Sequence, residues 1–155
     1  MKLIPLTQNK HTQVDDEMFD FLSKRKWMYH PKGYAYRTEW NHGKKKHIFM
    51  HNLIMGVERG IDHWNRDGLD NQCSNLRLAT KSQNKANSPK QKNNRHTYKG
   101  VHKDGNLWYA QIWYQKKCYK SSGVPNERWA AYLYDFAALE AFGEFAKTNF
   151  SHPLG

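Results

Sequence analysis

Three strand-like segments followed by one helix-like segment occupy the last sixty residues, and they limit the possible folds more than any other feature. The segments YKGVHK, NLWYAQIWYQ and CYKSSG are rich in aromatic and β-branched residues and are separated by KDGN and by a Lys-Lys turn. From Asn126, a predicted cap, the following residues place Ala130 and Tyr134 at helical spacing, and Gly143 is the predicted stop. The pattern predicts a three-stranded antiparallel sheet and one amphipathic helix of about four turns.

Alternation along the middle strand of this sheet predicts which side chains meet the helix, because neighbouring residues on a strand point to opposite faces. The predicted helix-facing set is Trp108, Ala110 and Ile112. The predicted outward-facing set is Leu107, Tyr109, Gln111 and Trp113.

The first fifty residues predict a small α+β unit. KLIPLT reads as a strand, and DDEMFDFLSK reads as a short helix that begins at Asp15 or Asp16 and turns Met18, Phe21 and Leu22 inward. KWMYH and YAYRTEW follow as aromatic strands around a PKG turn, and KKHIFMHNLIMG then returns to apolar residues. We expect a β-rich scaffold over residues 1–46 and an α+β class for the whole chain.

The charge balance indicates a polyanionic partner. The chain has 155 residues and a formal net charge of +11, and 38% of its residues are hydrophobic, which is enough for a core.

No apolar run reaches the roughly 18 residues that span a bilayer, and the N-terminus lacks a signal-peptide core, so we expect no membrane partner and a cytoplasmic protein. Two cysteines and no CxxC pair predict no structural zinc.

Residues 81–95 hold a concentrated positive charge. The segment KSQNKANSPKQKNNR contains five basic residues and no acidic residue. Its polar composition predicts a helix end that runs into a linker, and both a plain solvated linker and one that follows DNA phosphates remain open. The basic residues are Lys81, Lys85, Lys90, Lys92 and Arg95.

The segment IDHWNRDGLDNQCSNLRLATKSQNKAN carries the residues suited to chemistry. Asp62 and His63 are adjacent, and Asn75 and Asn84 follow after a loop of turn-forming residues. Hydrolysis of a phosphodiester needs a base for water and a cation for the phosphate and the leaving 3′ oxygen. One histidine with carboxylate and amide oxygens can supply both, and such ligands suit Mg²⁺, or Mn²⁺, better than zinc.

The string DHWNRDGLDNQCSNLRLATKSQN resembles the HNH endonucleases of the ββα-metal type, particularly the homing-type enzymes of phages and mobile introns. The resemblance implies that Asp62 and Asn84 are metal ligands and that His63 is the general base. It also implies that Asn75 steadies the catalytic loop and the histidine. The residues from roughly His47 to Arg95 carry it.

Other polar residues of this region have structural interpretations. Asn71 reads as a turn former, and the apolar run around His51 favours packing. Because neighbours on a regular strand point apart, Asp62 and His63 can share one site only where the strand ends.

YKGV, the Trp-Tyr-Ala-Gln-Ile strand, AAYLYDFAALEAFGEFA and the closing NF resemble the Apetala-type, or ethylene-response-factor, DNA-binding domain over residues 96–150. The resemblance implies that the open sheet face lies in the DNA major groove, while basic residues reach phosphates. By position it implies DNA contacts from Lys99, His102, Gln111, Trp113 and Lys120, and the nearby Lys103, Lys116 and Lys117 complete the predicted DNA-binding set.

Together these features predict a divalent-metal-dependent DNA endonuclease in a bacterial or phage-infected cell, acting on double-stranded DNA as a monomer or a dimer. The expected divisions are residues 1–46 as scaffold, 47–80 as nuclease core, 81–95 as helix end and basic linker, and 96–155 as DNA-binding domain. A DNA-binding regulator with an inactive nuclease core is the alternative from another class. A nonspecific toxin or RNA nuclease is a third reading, which leaves the C-terminal domain unexplained.

Overall fold

A computed structural model of the chain describes residues 1–90 and 95–151. The chain divides into two compact units, Met1–Thr80 and Lys81–Gly155. Both units mix small antiparallel sheets with helices, which confirms the predicted α+β class. None of the described helices combines the length and the apolar character that a membrane span requires.

The first unit contains three small antiparallel sheets, which pair β1 with β2, β3 with β4 and β5, and β6 with β7. A short 3₁₀ helix, Cys73–Asn75, precedes the last strand. In chain order the elements are β1 (Lys2–Pro5), β2 (His11–Val14), α1 (Asp16–Ser23), β3 (Met28–His30), β4 (Tyr34–Asn41), β5 (Lys44–Phe49), α2 (Met50–Ile54), β6 (Ile61–His63) and β7 (Leu76–Leu78).

A hydrophobic core of the first unit lies among β1, β2, β4 and the two helices. Leu22 of α1 is buried there, and the indole Nε1 of Trp27 donates a hydrogen bond to the Leu22 carbonyl oxygen at 2.8 Å. The prediction that Phe21 turns inward was wrong, because its side chain is 55% exposed while Met18 and Phe19 pack against the core. The buried members are Ile4, Leu6, Val14, Leu22, Trp27, Ala35 and Met50.

Two elements of the first unit were not predicted. Strand β2 pairs with β1 in register, with Lys2 opposite Val14, although HTQV alone has too little apolar character to indicate a strand. The apolar run KKHIFMHNLIMG divides between strand β5 and helix α2, whose Met50 is fully buried. A continuous apolar run does not distinguish a buried strand from a buried helix, so the change from strand to helix was not predictable from the run.

The second unit contains one three-stranded antiparallel sheet with a long helix on one face, as predicted. The helix begins after Asn126, whose side-chain Oδ1 accepts a hydrogen bond from the backbone N–H of Trp129 at 2.9 Å, and it ends at Gly143. The elements are α3 (Lys81–Asn87), β8 (Val101–Asp104), β9 (Leu107–Tyr114), β10 (Lys117–Lys120), α4 (Glu127–Phe142) and the 3₁₀ helix Gly143–Phe145.

The alternation predicted for β9 is confirmed by burial. Ala110 and Ile112 pack against Tyr134 and Ala138 of α4, whereas Trp113 on the other face is 58% exposed. Gly100 lies under the same tyrosine with a φ of +73°, and a Cβ there would lie 1.9 Å from the ring. This position therefore requires glycine both for its backbone conformation and for the close approach of the ring.

The structure adds two details to the prediction for the second unit. The β9–β10 turn is Gln115–Lys116 rather than a Lys-Lys pair, and both residues have positive φ, at 48° and 64°, as a tight hairpin turn requires. Residues 81–87 form the complete helix α3, in which Ala86 is buried and accepts a hydrogen bond from the Lys147 backbone N–H. A packed helix therefore occupies the start of the segment predicted as a helix end and basic linker, and residues 91–94 lie outside the described residues.

Candidate active site

The β6–β7 hairpin brings Asp62 and His63 together at the end of a strand. Strand β6 ends at His63, and Arg66, with a φ of 67°, turns the chain so that its backbone N–H donates to the His63 carbonyl oxygen at 2.9 Å. Both side chains are buried, with exposures of 4% for Asp62 and 6% for His63. The expectation that the strand ends at this pair is confirmed.

Asp62 forms a buried ion pair with Arg77, the residue opposite it in the strand register. Arg77 Nε and Nη2 both lie 2.9 Å from Asp62 Oδ2, and the guanidinium lies over the Trp64 ring at 4.7 Å. The hydrogen bond from Nε and the ion-pair contact from Nη2 hold the carboxylate in one orientation. The sequence did not indicate Arg77, because only the register of the hairpin places it across from Asp62.

Asn71 contacts the imidazole of His63. His63 Nε2 lies 3.5 Å from Asn71 Oδ1, and Asn71 Nδ2 donates to Thr12 Oγ1 at 2.7 Å. A proton on Nε2 fits this contact, and Nδ1 is then the basic nitrogen of the neutral ring. Asn71 is therefore more than the turn former predicted from sequence, and Thr12 of β2, which anchors it, is also buried.

The rings of Tyr34 and His51 pack against the imidazole of His63. The ring centroids of Tyr34 and His51 lie 5.8 and 5.1 Å from that of His63, and His51 stacks on Phe49 at 5.5 Å. Burial lowers the pKa of His63 below its usual value, although the contact with Asn71 and the nearby carboxylates, Asp62 first, oppose the shift. A histidine that is neutral near pH 7 can accept a proton from water.

His51 packs into this aromatic cluster, as its apolar context indicated. Burial, and secondarily the charge of His63, lower the pKa of His51 to about 4. The unfolded chain binds a proton at this residue near pH 6.5, whereas the folded protein does so only near pH 4. Protonation of His51 therefore favours the unfolded state between these two values.

The free energy of unfolding should fall as the pH is lowered from about 6.5 to 4, and His51 should contribute up to about 3 kcal/mol of that loss. Urea unfolding of the wild type and of His51→Phe, which keeps a ring but no titratable group, measures the contribution. The variant should show the smaller loss of stability across this range. Parallel pH profiles for the two proteins would contradict the assignment.

The side chain of Asn75 forms hydrogen bonds to two parts of the loop that follows β6. Its Oδ1 accepts a hydrogen bond from the Asn65 backbone N–H at 3.0 Å, and its Nδ2 donates to Asn65 Oδ1 at 3.0 Å and to the Asp70 carbonyl oxygen at 2.8 Å. The side chain is 8% exposed. These contacts are the ones that a loop-steadying role requires, and the role in catalysis stays a prediction.

The oxygen donors predicted for a metal lie in different units. Asp62 is in the first unit, and Asn84 lies within α3 of the second unit. Across residues 1–90 and 95–151, no three or more His, Cys, Asp or Glu side chains cluster as a metal site. The predicted set uses one carboxylate and one amide, and the oriented Asp62 carboxylate has the donor chemistry that Mg²⁺ or Mn²⁺ prefers.

Four of the predicted DNA-binding residues lie on the open face of the C-terminal sheet. His102 stacks on Tyr109 at 5.4 Å, and Lys120 Nζ lies over the same ring at 3.8 Å. Gln111 is opposite Lys120 in the register, and the exposed Trp113 follows two residues later on the same face. The structure thus brings aromatic, amide and basic groups together on one surface.

Three other predicted residues do not join that face. Lys103 and Lys117 lie opposite Trp108 and Tyr114, which belong to the helix side of the sheet. Lys99 Nζ donates to the carbonyl oxygens of Ala86 and Ser88, so its ammonium holds the end of α3. The strand register decides on which face of the sheet a lysine near a hairpin turn lies, and the register cannot be read from the spacing of residues in the sequence.

A basic groove in the second unit gathers the lysines of α3 with the edge of the sheet. The groove has a volume of about 720 Å³. Gln111 and Trp113 line it, and Lys90 Nζ there also donates to the His96 carbonyl oxygen. Arg95 is exposed, whereas Lys92 lies outside the described residues. The lysines that line the groove are Lys81, Lys85, Lys90, Lys99 and Lys116.

Comparison with known proteins assigns the family. Residues 44–86 match the HNH endonuclease family, and this range contains Asp62, His63, Asn75 and Asn84. An uncharacterized HNH endonuclease of Acanthamoeba polyphaga mimivirus is 33% identical over 142 residues, which cover 88% of this chain and 73% of the viral protein. No solved structure matches the chain. The chain belongs to the HNH endonucleases, hydrolases that cleave phosphodiester bonds in DNA.

Proposed function

We propose that the protein is a divalent-metal-dependent endonuclease of the homing type that cuts double-stranded DNA with His63 as its general base. The observation that carries the proposal is the buried Asp62–His63 pair at the end of β6, with its carboxylate held by Arg77 and its imidazole in contact with Asn71. The carboxylate is held in one orientation, and the imidazole, whose pKa is lowered by burial, is neutral and basic near pH 7.

His63 accepts a proton from the water that attacks the phosphorus atom. The new P–O bond forms as the bond to the 3′ oxygen breaks, and the 3′ oxygen takes its proton from solvent. The products are a 5′-phosphate and a 3′-hydroxyl. Asn71 keeps the His63 proton on Nε2 so that Nδ1 receives the water proton, and Asn75 holds the loop that follows the histidine.

Asp62 and Asn84 are the proposed ligands of the divalent ion. Asn84 enters the proposal through the motif spacing and the family match, which extends through residue 86. When bound, Mg²⁺ or Mn²⁺ supplies positive charge against the phosphate and the leaving oxygen. Arg77 Nε donates a hydrogen bond to Oδ2 of Asp62 and so fixes the direction in which the carboxylate faces.

Replacement of the ligands should weaken cleavage and change its metal dependence. Asp62→Asn removes the charged donor and Asn84→Ala removes the amide oxygen, so each variant should need a higher Mg²⁺ concentration for half-maximal rate. Mn²⁺ should restore part of the activity. Rates of plasmid nicking across a metal titration measure the shift. An unchanged half-saturation concentration in both variants would exclude these residues as ligands.

The second unit is proposed to bind the DNA duplex. The open face with His102, Gln111, Trp113 and Lys120 resembles the surface with which Apetala-type domains bind the major groove, and the basic groove adds positive charge beside it. One active centre per chain favours nicking, with double-strand cleavage by a dimer or by two successive cuts. We propose the cytoplasm of a bacterial or phage-infected cell as its place of action.

Charge removal in the groove should reduce the salt dependence of DNA binding. Each phosphate contact releases counterions and contributes about −0.9 to the slope of log affinity against log salt. Substitution of Lys81, Lys85 and Lys116 together by alanine should flatten the slope by roughly two to three and weaken binding to all duplexes alike. Gln111→Ala should instead change the preference among sequences. Fluorescence anisotropy with two unrelated duplexes over a salt series separates the two effects. A change of sequence preference in the lysine variant, without one in Gln111→Ala, would contradict the assignment.

A further inference from the structure

The β4–β5 hairpin of the first unit has two faces of different chemistry. In the register of this hairpin, Tyr36 lies opposite Phe49, Thr38 opposite His47, and Trp40 opposite Lys45. Directly opposed residues share a face, and alternate residues along each strand return to it. We call this surface the aromatic face, and it consists of Tyr34, Tyr36, Thr38, Trp40, Lys45, His47 and Phe49, without any acidic residue.

The inner end of the aromatic face touches the catalytic histidine. The Tyr34 ring lies 5.8 Å from that of His63, and Phe49 stacks on His51, which in turn lies 5.1 Å from His63. Further out, Tyr36 packs against His47 at 5.1 Å. The face therefore extends without interruption from the proposed general base towards the tip of the hairpin.

The outer end is exposed and positively charged. Trp40 is 73% exposed, which is more than any other tryptophan among the exposed hydrophobic side chains of the described residues. Lys45, directly opposite Trp40, is exposed as well. An indole and an ammonium group side by side suit the apolar sugar edges and the charged phosphates of a nucleic acid backbone.

The opposite face of the hairpin has other partners. Arg37 Nη2 pairs with Glu39 Oε1 at 2.6 Å, and Lys46 Nζ lies 3.4 Å from Glu58 Oε1. The Arg37 guanidinium also lies over the Trp27 ring at 5.2 Å, next to the core. Carboxylates thus pair with Arg37 and Lys46 of this face, whereas the aromatic face carries positive charge without an acidic residue. The difference directs a polyanion to the aromatic face.

We propose that the aromatic face binds the duplex beside the scissile phosphate, with Trp40 and Lys45 as its outermost contacts. The inference rests on the proposed function. Tyr34 and Trp40 are six residues apart on one strand, a distance of roughly 20 Å at about 3.3 Å per residue. DNA rises about 3.4 Å per base pair, so these contacts fall about six base pairs from the cut.

Neighbouring lysines on the two faces provide a matched test. Trp40→Ala and Lys45→Ala should raise the KM for cleavage of a long duplex about three- to tenfold with an unchanged kcat, because they weaken binding and not chemistry. Lys44→Ala and Lys46→Ala remove the same charge from the opposite face and should change KM by less than about twofold. Equal KM values for Lys44→Ala, Lys45→Ala and Lys46→Ala would overturn the proposal.

Trimming the substrate locates the contact. Cut sites are first mapped on plasmids that carry randomised inserts, and duplexes around one site are then shortened from either end. Once one flank falls below about six base pairs, the KM of the wild type should rise to that of Trp40→Ala, and the substitution should have no further effect. A Trp40→Ala effect that persists at every flank length would contradict the proposal.

A chemical footprint tests the surface independently of cleavage. Acetylation of the protein is followed by mass spectrometry with and without a plasmid-derived duplex. The duplex should protect Lys45 at least about threefold more than Lys44. Equal reactivity of Lys45 with and without DNA would overturn the inference even if the protein cleaves DNA. Protection of Lys45 without cleavage in any divalent metal would support the binding surface and refute the proposed catalytic function.

Discussion

Replacement of His63 by alanine is expected to slow DNA cleavage by about 10²–10⁴-fold, which is the usual effect of removing a general base. The imidazole is 6% exposed and lies between Asn71 and the Tyr34 and His51 rings, so it is placed to act on one water molecule and not on the surface of the duplex. DNA affinity should stay within about twofold of the wild-type value.

Nicking rates and anisotropy measurements on the same preparations separate chemistry from binding. His51→Phe is the matched control, because it alters the neighbouring ring of the same cluster without removing the proposed base. This control should retain most of the cleavage rate at pH 7.5. Cleavage by His63→Ala at the wild-type rate would exclude His63 as the general base.

Among the substitutions proposed for this protein, replacement of Arg77 by alanine should lower the free energy of unfolding most. Asp62 is 4% exposed, and the substitution leaves its carboxylate buried without the guanidinium that compensates it. Removing one partner of a buried ion pair costs about 3–5 kcal/mol, mainly because the remaining charge stays out of water. We expect the free energy of unfolding of Arg77→Ala to fall by about that amount.

A double substitution distinguishes this cause from simple loss of packing. In Asp62→Asn with Arg77→Met, the buried charge is absent and the long side chain over Trp64 is retained. The double variant should be more stable in urea than Arg77→Ala, although it should be inactive. Equal instability of the two proteins would show that the unpaired carboxylate is not the reason for the loss.

Features that depend on neighbouring residues were predictable from the sequence. The extent of α4 followed from the Asn126 cap, the helical spacing and Gly143, and the two faces of β9 followed from simple alternation. The candidate pair Asp62–His63 was found for the same reason, because its residues are adjacent and a turn follows them.

Features that depend on distant contacts were not predictable. The anchor of Asn71 is Thr12, 59 residues away, and Arg77 reaches Asp62 only through the register of a hairpin. Strand β2 owes its place to pairing with β1 rather than to its own composition. The position of Lys103 was not predictable for the same reason, because the strand register puts it beside Trp108 and not on the open face. Tertiary pairing decided each of these positions.

Cleavage of supercoiled plasmid DNA carrying randomised inserts, with and without divalent metal, tests the central claim most directly. The wild-type protein should nick or linearise plasmid in Mg²⁺ or Mn²⁺, leave 5′-phosphate and 3′-hydroxyl ends, and lose this activity in EDTA. Undiminished cleavage in EDTA would contradict the metal-dependent mechanism. Tight DNA binding without cleavage in either metal would contradict the account and favour a DNA-binding regulator with an inactive nuclease core.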